Sequence, residues 1–141
     1  MPGARKCRFH PQHCAVADRL RDAYYYHVPD GPMPTRQVII DLSLRRGLRS
    51  LHMSVAQRTV PEAHLPYVPV AQYDRVRVDD VLLDFADRLR GSIFDLLRVQ
   101  DGEATYPSRT YVITTALDLG LREMRMIYRH PRESDHVQLH P

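Results

Sequence analysis

The chain has 141 residues, a formal net charge of +3 and a sequence pI near 9.1, with 43% hydrophobic and 26% charged residues, the balance of a globular domain. No stretch approaches the roughly 18 apolar residues of a membrane span, no apolar run follows Met1 to Lys6 as a secretory leader would require, and two cysteines without such a leader point to a reducing, cytoplasmic setting with no membrane partner. Lys6 is the only lysine; arginine suits bidentate contacts to guanine and phosphate, and a GC-rich genome would favour it equally.

In chain order, the first predicted element is a strand over residues 5–10. Lys6, Arg8 and His10 alternate with Cys7 and Phe9, the period of a half-buried strand. A helix follows over about residues 11–26, with Cys14, Ala17, Leu20 and Tyr24 at helical spacing. Residues 27–34 carry three prolines and Asp30-Gly31, which is turn chemistry. A second helix starts at Thr35, a good N-cap, with apolar positions Ile39, Ile40, Leu44, Leu48 and Leu51. Residues 54–72 lack helical period, contain Pro61, Pro66 and Pro69, and read as a semi-extended linker.

The same series then runs again. Ala17-Asp18-Arg19-Leu20-Arg21 returns as Ala86-Asp87-Arg88-Leu89-Arg90, an offset of 69. Pro34-Thr35-Arg36 returns as Pro107-Ser108-Arg109, and Leu44, Gly47, Leu48, Arg49 and Met53 return as Leu117, Gly120, Leu121, Arg122 and Met126, an offset of 73. An internal repeat governs the architecture. The second strand is then Arg75-Val76-Arg77-Val78, which buries the same face and again points cations outward. Its helix runs over about residues 79–97, capped by Asp79 or Asp80 and longer than its counterpart, with Leu82, Phe85, Ala86, Leu89, Ile93 and Phe94 apolar. After a turn with Asp101-Gly102, the last helix is capped by Ser108 and buries Val112, Ile113, Leu117, Leu121 and Met124. Glycine twice at one interior helical position predicts close passage of another helix there, since glycine costs ~1 kcal/mol relative to alanine. Repeat one spans 5–53, repeat two 73–126, and residues 127–141 form a polar tail. Units of roughly 50 residues are marginal alone, so the copies are expected to share one core in a single pseudo-dimeric domain.

Strand, helix, turn, helix, twice over, cannot bury its faces one unit at a time. Two units can: the strands pair antiparallel and four helices pack behind them. This α+β, mostly α arrangement resembles the ribbon-helix-helix superfamily of the Arc and MetJ repressors, in tandem single-chain form similar to the TraY-like relaxosome accessory proteins and the accessory protein of T-DNA processing. The resemblance implies double-stranded DNA as partner, a β-ribbon in the major groove, and a role in conjugative DNA transfer or transcriptional repression. Lys6, Arg8, His10, Arg75 and Arg77 would then contact bases. Thr35, Arg36, Ser108 and Arg109, at the starts of the second helices, would contact phosphates. Asp79 in place of His10 would make the ribbon ends unlike and the site asymmetric. Self-association along DNA and a relaxase or other protein partner are also implied. The rival is an antitoxin-like interaction module whose tail wraps a partner.

Cys7, His10, His13 and Cys14 are all of zinc-ligating type. Their counterparts Val76, Asp79, Leu82 and Leu83 are mostly apolar, so the cysteines read as core and no cofactor is expected. Tyr24-Tyr25-Tyr26 reads as a helix end packed on the core, with an aromatic binding surface as the alternative. No catalytic set or phosphate loop is evident, and an enzyme is not expected.

Overall fold

A computed structural model of the chain describes residues 3–61 and 73–129. The fold is mixed α+β and mostly helical. In order come β1 (Ala4–Phe9), α1 (Pro11–His27), α2 (Arg36–Ala56), β2 (Asp74–Asp79), α3 (Asp80–Asp101) and α4 (Arg109–Ile127). The strands form a two-stranded antiparallel sheet. Phe9, Val76 and Val78 are buried against the helices and Cys7 is half-buried, as the alternation requires. α2 continues to Ala56, three residues into the expected linker; residues 62–72 and the tail from 130 onward lie outside the described residues.

The first strand-to-helix turn is sharper than the expected strand over residues 5–10 allowed, whereas the second is capped by one of the two expected aspartates. β1 ends at Phe9, and His10 is the N-cap of α1, its Nδ1 accepting from the Gln12 N–H at 3.1 Å. Asp79 does the same for α3, its carboxylate accepting from the Val81 N–H at 2.9 Å. A capping side chain must fold back over the first turn, so neither His10 nor Asp79 continues the outward row of its strand. The repeat thus aligns two caps. Thr35 and Ser108 cap the second helices as expected, accepting from the N–H groups of Val38 and Tyr111. α3, with 22 residues, is longer than α1, with 17.

The core lies where α2 crosses α4. All ten apolar positions expected on these two helices are buried. The crossing point is the glycine pair. A Cβ on Gly47 would stand 1.6 Å from the Ala116 carbonyl oxygen, and one on Gly120 would stand 1.7 Å from that of Ser43. The two backbones touch there, which only glycine permits. Leu20, Leu82, Leu83, Leu89 and Ile93 close the core from α1 and α3.

One buried polar group breaks the correspondence of the halves. His13 takes the place of Leu82, and its Nε2 lies 3.1 Å from Asp118 Oδ1. Both side chains are under 5% exposed. Asp118 also meets Arg122 at 3.1 Å.

Candidate nucleic-acid interface

The outer face of the ribbon is built from alternate residues of both strands. In register, Lys6 stands opposite Arg77 and Arg8 opposite Arg75. All four are exposed, and among the described residues none makes an ion pair or a side-chain hydrogen bond. The Arg77 N–H donates to Gln37 Oε1 at 3.1 Å, and the Arg77 carbonyl accepts from Gln37 Nε2. These backbone groups therefore point away from β1, which makes Lys6–Arg77 a non-hydrogen-bonded pair. By alternation so is Arg8–Arg75, and such pairs hold their side chains closest. Like charges directly opposite one another destabilise a sheet, and here there are two such pairs side by side.

Neighbouring carboxylates could have relieved this repulsion, but they face elsewhere. Asp74 lies 3.4 Å from Arg36 on the flank. Asp79 caps α3 and lies 3.7 Å from Arg45. Among the described residues the ribbon is left as a cluster of four cations without a counter-ion.

The repeated sequence blocks have a structural duty. Asp18 receives two hydrogen bonds from Arg36, at 2.9 and 2.6 Å. Asp87 receives two from Arg109, at 2.8 and 2.5 Å. The last arginine of each block donates through Nε to a proline carbonyl: Arg21 to Pro34 at 2.8 Å, Arg90 to Pro107 at 2.9 Å. Each first helix thereby brackets the start of the second. The arginines hold the Asp18 and Asp87 carboxyls below the usual carboxylate range. Arg36 and Arg109 are likewise tied more tightly to their protons by these carboxylates. Only the first arginine of each block, Arg19 and Arg88, remains on the surface.

This changes the role read for the flanking residues. Arg36 and Arg109 sit at the second-helix starts as expected, but their charge is largely matched by aspartate. The Thr35 and Ser108 hydroxyls are engaged as caps. An anion there would meet the unpaired N–H groups of the first turn and the positive helix end. Lys6, Arg8, Arg75 and Arg77 are brought together on one face; His10 lies half-buried at the turn behind it. Sequence reasoning missed Asp18 and Asp87 although the repeat carried them in both copies. It also missed Gln37, for which the repeat offered no signal because position 110 is threonine.

The Cys/His run resolves as packing. Cys14 is fully buried, and burial pushes its thiol up to about 12; burial also raises that of half-buried Cys7. Tyr24 packs edge-on against Tyr128 with ring centroids 4.9 Å apart. Compared with protein-family models, with curated proteins and with solved structures, the chain matches none.

Proposed function

We propose that this chain binds double-stranded DNA as a single-chain ribbon-helix-helix domain, with the β1–β2 ribbon in the major groove. The observation that carries this reading is the set of four exposed cations, paired like against like across the ribbon and without counter-ions among the described residues. A fold bears such repulsion at little gain unless an anionic or acceptor-rich surface meets it. Guanine presents O6 and N7 to the major groove, and arginine or lysine donating there is the commonest specific contact. The reading assigns base contacts to Lys6, Arg8, Arg75 and Arg77. It withdraws His10 to a capping role, and it gives phosphate anchoring to the starts of α2 and α4, which Arg36 and Arg109 hold in place. The biological setting is DNA transfer or transcriptional repression in the cytoplasm.

The test is duplex binding by the full chain over a salt series. Affinity should fall steeply and linearly on a log–log scale as phosphate-bound counterions are released. Arg8→Ala combined with Arg77→Ala should abolish sequence preference, at about 1–3 kcal/mol of discrimination per lost contact, while the circular dichroism spectrum stays native. If the double variant still footprints the same site with unchanged affinity, the reading is falsified.

A further inference from the structure

The two halves of the ribbon are not held alike. β2 is bridged to α2 along its length: Asp74 to Arg36 at 3.4 Å, the Arg77 backbone to the Gln37 side-chain amide in both directions, and Asp79 to Arg45 at 3.7 Å. Each of these bridges is lost at the corresponding place between β1 and α4. Asp74 is replaced by Arg5, which has the same charge as Arg109 and lies instead 4.0 Å from Asp80 at the start of α3. Gln37 is replaced by Thr110, whose side chain is too short to span both backbone groups of Arg8. Arg45 is replaced by Asp118, which is buried against His13 and Arg122. Among the described residues no polar contact joins β1 to α4. β1 is held instead by its partner strand and, at its start, by Asp80 of α3, whose N–H donates to the Gly3 carbonyl at 3.1 Å and whose carboxylate forms an exposed 4.0 Å ion pair with Arg5.

Bidentate recognition of a base edge tolerates little positional error, so the stiffness of the strand behind an arginine governs how sharply it discriminates. Resting on the DNA-binding reading above, we infer that the chain reads an asymmetric duplex site in one orientation, strictly beneath Arg75 and Arg77 and loosely beneath Lys6 and Arg8, with Gln37 as the positioning residue for the strict half. The side chains point the same way. Lys6 stands where the other half has Arg75, and an ammonium lacks the planar fork that fixes guanidinium geometry.

The experiment uses the full chain and duplexes selected from a randomised pool. Single Arg8→Ala and Arg77→Ala variants first assign bases to each strand. Base changes beneath β2 should then weaken binding about tenfold or more each, and those beneath β1 less than about threefold, within the range of single base contacts. Gln37→Ala should bring discrimination in the β2 half down to the level of the β1 half, without altering the β1 half. Thr110→Gln should sharpen the β1 half. In the free protein, amide exchange should be slower at Arg77 than at Arg8, and Gln37→Ala should remove that difference. Equal discrimination in both halves of the wild-type site, or equal relaxation of both by Gln37→Ala, overturns this inference alone. Absence of salt-dependent duplex binding overturns the DNA reading and this inference with it.

Discussion

The Asp18–Arg36 and Asp87–Arg109 pairs show what a residue type leaves open when read without its partner. A cation at a helix start looks like a phosphate ligand, yet each faces a carboxylate one helix away. All four side chains are about a third or more exposed, so solvent screens the pairs and each is worth no more than about 1 kcal/mol. Asp18→Asn should therefore lower stability only slightly in urea titrations. The carboxyl's folded-state proton affinity is lowered, so this contribution is present above pH 3.8 and lost as pH falls through the folded value. His13 acts in a different window. Burial lowers its proton affinity and outweighs the pull of Asp118. As pH falls below 6.5 the unfolded chain takes up the proton first, and stability declines from there downward. Thermal melts between pH 8 and 5.5 should show this decline in the wild type. It should be absent when His13 and Asp118 are both replaced by leucine, as Leu82 occupies the matching place in the other half.

At the scale of elements, the α2–α4 crossing and the ribbon contrast in what they demand of a side chain. At Gly47 a methyl group must push two backbones apart. Gly47→Ala should destabilise by about 1–3 kcal/mol, despite the ~1 kcal/mol that alanine gains in a helix. Gly91, in the middle of α3, is the control. A Cβ there meets only the Tyr106 hydroxyl, at 3.5 Å, so Gly91→Ala should stabilise by up to about 1 kcal/mol. Chemical denaturation of both variants checks the pair; equal effects of one sign would contradict the backbone contact. On the ribbon, by contrast, packing places no limit on the outward side chains, and charge alone distinguishes one choice from another.

For the whole molecule, the shared core implies that neither repeat folds by itself. α2 and α4 bury their apolar faces chiefly on each other, so residues 1–61 and 73–141 expressed separately should be unfolded by amide dispersion. Mixing them should restore structure.

Much of this architecture was legible in the repeat and the two periodicities. Strand faces, second-helix caps, the glycine contact and the core of α2 and α4 all follow from local patterns that the chain states twice, because burying an alternating or helical face leaves a mark at every turn. The copies also showed that Cys7 and Cys14 stand at apolar positions. What tertiary structure alone decided was pairing between residues far apart in sequence. Asp18 with Arg36, Gln37 with the Arg77 backbone, and His13 with Asp118 leave no periodic trace, since a single polar contact depends on where two elements meet in space. For the same reason His10 could be read as a strand residue until its ring was placed over the first turn of α1. The sequence by itself determined a repeated series of elements with cations alternating along both strands; the tertiary contacts decided which of those cations lack a counter-ion among the described residues, and that the two strands presenting them are braced by different contacts.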